Sequence, residues 1–195
     1  MTLYNITFRE DVREVLTPNI PYSAADGENK IINRVCFSDR IEHCVEAIGP
    51  CSRDMHNGAI FTIRSVDTDK MNSKSIITPK ELFDKGFVPD ALETQEYWYL
   101  EQVQVKLSKA KVISYSFEYA LAWTCIKMKD MQEIVNNLGI TGVTADSSKQ
   151  LYDKVNRYFI EHKMYDKADA LFDYAAELPF AQTLKIRDLK LEVYT

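Results

Sequence analysis

Cysteine and histidine are the scarcest reactive residues in this chain, four of one and three of the other in 195 positions, and their spacing limits the chemistry they can do. His43, Cys44, Cys51 and His56 come closest to a metal set. Structural zinc favours close ligand pairs, and these intervals are irregular, so no metal site is expected. A cysteine nucleophile needs a histidine placed beside it in space and a lowered thiol pKa. Spacing supplies neither, and a buried thiol is the simpler reading. No G-x-x-x-x-G-K-[ST], G-x-G-x-x-G, G-x-S-x-G, H-E-x-x-H or paired C-x-x-C occurs. P-loop enzymes, simple dinucleotide-binding enzymes, α/β-hydrolases and zincins therefore lose their usual sequence support. Lys127, Lys129, Lys154, Arg157, Lys163 and Lys167 are interleaved with Asp and Glu, the pattern of a solvated helix face and not of a nucleic-acid surface.

Any such residue must be positioned by the elements around it. Leu3-Tyr4-Asn5-Ile6-Thr7 is a short β-prone run, and Thr17–Glu28 is a loop with two prolines and a glycine that break regular structure. Arg34-Val35-Cys36-Phe37-Ser38 is strand-like and leads into a helix, because Asp39 followed by Glu42 has the form of a capping box. Ile41, Cys44, Val45 and Ile48 then fall on one apolar face before Gly49-Pro50 supplies the stop. Strands are predicted over 59–63, 76–77, 94–100, 103–107 and 110–115. From Phe117 the spacing predicts a helix through Phe117, Leu121, Met128, Met131, Val135 and Leu138, ended by Gly139. Ser147 caps a second helix and Asp166 opens a third. Residues 184–193 alternate as a terminal strand with one slip, able to rejoin the first sheet. The expectation is an α+β fold: a mixed β-sheet domain over 1–115, and over 116–195 a region of about three helices with a final strand, packed on the first.

Three of the strand-like segments, Leu3-Tyr4-Asn5-Ile6-Thr7, Arg34-Val35-Cys36-Phe37-Ser38 and Thr94-Gln95-Glu96-Tyr97-Trp98, resemble in order and spacing the strand motifs of ADP-ribosyltransferase-like domains over residues 1–115. The resemblance implies a cleft for NAD. It places Asn5 where the family has a His or Arg that holds the nicotinamide ribose or phosphate, Ser38 at the hydroxyl position and Glu96 at the catalytic glutamate. Asn5 carries no positive charge, and Gln95-Glu96 with Glu93 nearby is not a clean E-x-E. Cleaving a nicotinamide glycosidic bond develops oxocarbenium character, which a carboxylate on the ribose hydroxyls stabilises. Glu96 would do this, Ser38 would position the ribose, and Arg34 or Arg9 would offer a planar fork to the pyrophosphate. Read alone, Ser38 precedes a helix, Glu96 is an ordinary strand residue, and Tyr97-Trp98-Tyr99 supply core and surface aromatics.

The chain as a whole carries 24 basic against 29 acidic residues, a net charge of −5. That is the reverse of a general nucleic-acid binder's footprint. Eleven Tyr, nine Phe and two Trp are enough aromatic surface for a packed core. Met1–Asn5 has neither a basic nor an apolar leader region, no window reaches the roughly 20 apolar residues of a membrane span, and the cysteines suit a reduced setting. A cytoplasmic protein without a membrane partner is expected. Two functions stay open: an NAD-dependent ADP-ribosyltransferase acting on a macromolecular acceptor, and a catalytically inactive protein-binding module, a phage-type inhibitor or accessory protein acting through its surface and C-terminal helices. A toxin or antitoxin component is a third reading.

Overall fold

Among the described residues, segments rich in β-branched and aromatic residues form nine strands, and most are short enough that only their pairing holds them. The structure is a computed structural model that describes residues 1–8, 13–21, 28–48, 55–179 and 181–194, with Leu184 described by its backbone alone. The strands are β1 (Thr2–Thr7), β2 (Val15–Leu16), β3 (Val35–Ser38), β4 (Ile60–Asp67), β5 (Ile76–Ile77), β6 (Glu96–Tyr99), β7 (Val103–Gln104), β8 (Lys106–Leu121) and β9 (Gln182–Tyr194). The helices are α1 (Ile41–Ile48), α2 (Pro79–Asp84), α3 (Ala91–Thr94), α4 (Met128–Asn137), α5 (Ser148–Glu161) and α6 (Tyr165–Ala176). This is an α+β protein.

Seven strands form one sheet in the order β5-β6-β3-β1-β4-β8-β9, and β2 pairs with β7 in a separate ribbon. The registers of β1 with β3 and β4, of β3 with β6, of β4 with β8 and of β5 with β6 are all antiparallel. By contact the chain divides into two compact units, one of Met1–Glu118 with Leu184–Thr195, the other of Tyr119–Thr183. β8 and β9 each supply residues to both.

In the first unit, side-chain alternation gives the sheet two unlike faces. Tyr4, Ile6, Phe61, Ile63, Ala110 and Val112 pack with Cys44 and Val45 of α1 on one face. Leu3, Val35, Phe37, Val66 and Tyr99 pack with Val103 and Leu16 on the other. α2 and α3 bring Leu82, Val88 and Ala91 against Trp98. The second unit has its own core, in which α4 contributes Met131, Ile134 and Val135, α5 Leu151, Val155 and Phe159, and α6 Ala168, Leu171 and Ala175. Gly139, at φ 83°, ends α4 in the left-handed conformation that the sequence predicts.

Three local expectations are corrected. Phe117 and Leu121 do not belong to a helix: β8 continues to Leu121, because Tyr115, Phe117 and Tyr119 alternate with polar residues in the two-residue period of a strand. Thr94 closes α3, and the left-handed Gln95 (φ 49°) turns the chain so that the strand starts at Glu96. Thr78-Pro79-Lys80-Glu81, where the sequence predicts no helix, is the capped start of α2, with Thr78 and Glu81 making a reciprocal box and Pro79 at the first turn. The slip foreseen in the last strand lies at Asp188, whose φ is 52° and beside which two successive side chains point outward.

Candidate functional site

Strand register decides which candidate residues meet. β1 and β3 pair Tyr4 with Ser38, and β3 and β6 pair Ser38 with Glu96. Directly opposed antiparallel residues share a face, so Tyr4, Ser38 and Glu96 form one row across three strands, with Cys36 and Trp98 in the next. Asn5, one residue along, points to the opposite face. There its Oδ1 accepts from Arg64 (3.0 Å), while its Nδ2 donates to the Cys36 carbonyl (3.0 Å). Ser38 and Glu96 are therefore brought together and Asn5 is set apart from them.

Around Glu96 the groups are tightly committed. Trp98 is fully buried, stacks on Phe87 at 5.8 Å, and donates its indole N–H to Glu96 Oε1 at 2.6 Å. Burial pushes the Glu96 carboxyl up to about 7, with the negative charges of Glu28 and Asp90 adding to the rise and the bonds to Trp98 and Cys36 opposing it. Burial also raises Asp90, and it holds the Cys36 thiol well above its ordinary value, with the Glu96 charge reinforcing the effect. Cys36 is thus an inert thiol, whereas Glu96 is poised to hold or give up a proton near neutral pH.

Arg34, expected to offer its fork to a pyrophosphate, is instead 1% exposed. Its Nη2 meets Glu28 at 3.0 Å, its Nη1 donates to the carbonyls of Asn29 and Ile32, and its guanidinium lies 3.8 Å from the Trp98 ring centroid. Arg34 Nε is buried without a hydrogen-bond partner among the described residues. Arg9 lies outside them. Ser38 is 3% exposed and borders the Cys44 thiol, which donates to the Tyr4 carbonyl and which burial pushes up to about 12.

Of the irregular Cys/His set, Cys51 lies outside the described residues. His43 donates from Nδ1 to Asp39 at 2.5 Å and accepts at Nε2 from Arg40 at 2.6 Å. Both ring nitrogens are occupied, and Asp39, read as a helix cap, is engaged by this histidine.

Access is found elsewhere. In the second unit a concavity of about 510 Å³ is lined by Tyr119, Leu121, Phe172, Asp173, Glu177 and Gln182, among others. Tyr119 is 72% and Phe172 41% exposed, although both carry large apolar rings. Asp166, Asp169, Asp173 and Glu177 recur at three- and four-residue steps along exposed α6 and past its end. The lysine within that stripe, Lys167, turns away to donate to the Leu138 carbonyl at 3.0 Å. Sequence reading did not single out Tyr119, Phe172, Asp173 and Glu177, although the acidic spacing was visible once α6 was assumed. A second hollow, lined by Phe8, His56, Gly58, Ala59 and Ile60, is smaller and more open. Neither hollow includes Ser38, Glu96 or Arg34.

Among the described residues no helix is long and apolar enough to cross a membrane, and no three His, Cys, Asp or Glu side chains gather as a metal site. Compared with protein-family models, with curated proteins and with solved structures, the chain matches none.

Proposed function

We propose that this protein acts by binding another protein, and that the groove beside α6 receives a basic, amphipathic segment of that partner. One observation carries this reading: exposed Tyr119 and Phe172 sit in a concavity walled by Asp173 and Glu177. An apolar side chain of the partner would enter between the rings while its Lys or Arg residues meet the carboxylates. The net charge of −5 favours the same class of partner at long range. Such binding fits an inhibitor or accessory protein of the kind that phages and mobile elements encode, and the free thiols of Cys36 and Cys44 suit a cytoplasmic setting.

A lysine/leucine amphipathic peptide titrated into the labelled protein should shift amide signals of α6 and of Tyr119, with affinity that falls as salt rises. Asp173→Lys with Glu177→Lys should abolish those shifts, and a glutamate/leucine peptide should not produce them. Shifts that are absent, or that survive the charge reversal, would remove this reading.

An NAD-dependent ADP-ribosyltransferase is the second reading, favoured by the Ser38–Glu96 row and by a carboxyl raised to about 7. In that reaction the nicotinamide–ribose bond breaks, nicotinamide leaves, and a nucleophile of the acceptor takes C1 of the ribose. The pyrophosphate would need a cation other than the enclosed Arg34. Nicotinamide release from NAD, lost in Glu96→Gln, supports it; no release and no NAD-dependent thermal shift sinks it.

A further inference from the structure

We propose that the outer edge of β9 pairs with the same strand of a second copy of this chain, antiparallel and centred on Leu191. β9 is the terminal strand of the seven-stranded sheet, so among the described residues its outward N–H and C=O groups lack a ladder partner there. The first part of that edge is closed. Glu46 Oε1 accepts the Ile186 N–H at 2.9 Å, Lys185 is held between Glu46 and Glu93, and Asp188 interrupts the strand with its left-handed backbone. The part beyond it, Leu189-Lys190-Leu191-Glu192-Val193, carries no such closure among the contacts of the described residues.

This segment is complementary to itself. With Leu191 facing Leu191 of the other copy, each Lys190 faces a Glu192 and each Leu189 faces a Val193. Both charge pairs fall on one face, where Lys190 and Glu192 are exposed. The apolar residues fall on the other, where Leu189 and Leu191 already pack with the first unit's core and Val193 is 55% exposed. Pairing would extend that core across the junction and cover Val193. Other registers fail for stated reasons. Centring on Lys190 sets Lys190 against Lys190 and Asp188 against Glu192; centring on Glu192 sets two glutamates together. A one-residue slip turns one copy's apolar side chains to the other's charged face. Centring on Leu189 would need the edge at Ile186 that Glu46 closes.

The surface lies in the other unit from the α6 groove, so it stands or falls independently. Light scattering with sedimentation should show a concentration-dependent dimer. Lys190→Glu and Glu192→Lys, each alone, put like charges opposite one another twice and should weaken self-association by about tenfold or more. Mixing the two variants restores both pairs, so a heterodimer should form where neither variant dimerises. Circular dichroism confirms that both remain folded, and Phe172→Ala should leave the dimer intact. A monomer at every concentration overturns the proposal. A dimer indifferent to the single reversals overturns it as well, because it would lie on another surface.

Discussion

At the scale of single residues, the side chains with the strongest chemical identity are the least accessible. Arg34 is enclosed by Glu28, two carbonyls and Trp98, so its charge is balanced inside the fold and not displayed. Removing one partner of a buried pair leaves the other charge uncompensated. Arg34→Met should therefore lower the unfolding free energy by about 3–5 kcal/mol, read as a fall in the urea midpoint at unchanged slope, and adding Glu28→Gln should recover part of that loss. Glu96 makes a different prediction. Its carboxyl rises from an ordinary 4.5 to about 7 in the fold. Between those values the native chain binds more protons than the unfolded one, so stability falls as pH rises through this window. The penalty is fully present above the upper value and absent below the lower. Glu96→Gln keeps an acceptor for the Trp98 N–H and carries no charge. Its Tm should match the wild type at about pH 4 and exceed it at about pH 8; a constant difference across that range would contradict the assignment.

At the scale of elements, local signals and register did different work. Ser147, Gly139 and the buried Cys44-Val45 pair of α1 were readable because caps and helical periods act within a few residues, whereas Ile48, expected on the same face, is 37% exposed and His43 is buried beside Cys44 instead. The box at Thr78 was equally local and was overlooked inside a polar stretch. Thr78→Ala should cost about 1 kcal/mol, visible in thermal melts. The excess helix at Phe117–Leu121 arose because apolar residues four apart satisfy a helical template even when they end one strand and precede another turn. Of the candidate site, the adjacency of Ser38 and Glu96 was implied by aligning three strands, but the facing of Asn5 was not. It depends on Tyr4 being the residue opposite Ser38, and one residue of register reverses every side chain.

At the scale of the whole molecule, Tyr119–Thr183 holds a separate core, and its ends meet where the Ala122 N–H donates to the Ala181 carbonyl at 2.7 Å. A fragment of these residues should fold as a helical unit, seen as a cooperative melt of far-ultraviolet dichroism, with a low Tm because so short a chain buries only about 60% of its surface. A non-cooperative melt would mean that this core needs the rest of the chain. The same fragment should still bind the lysine/leucine peptide, since every residue of the groove belongs to it.

What the amino-acid sequence determines by itself here is the α+β class, most strand positions, the capped helices and the acidic balance, all consequences of short-range periodicity and composition. Tertiary structure alone decides that Arg34 is interior, that Asn5 and Glu96 occupy opposite faces, that Glu96 is lifted toward neutrality by burial with the charges of Glu28 and Asp90 adding to it, and that Tyr119 joins Phe172 in an acidic groove. These facts join residues from about 6 to more than 50 positions apart. Charge and burial at such range depend on which strands become neighbours, and that is settled only when the sheet closes its register.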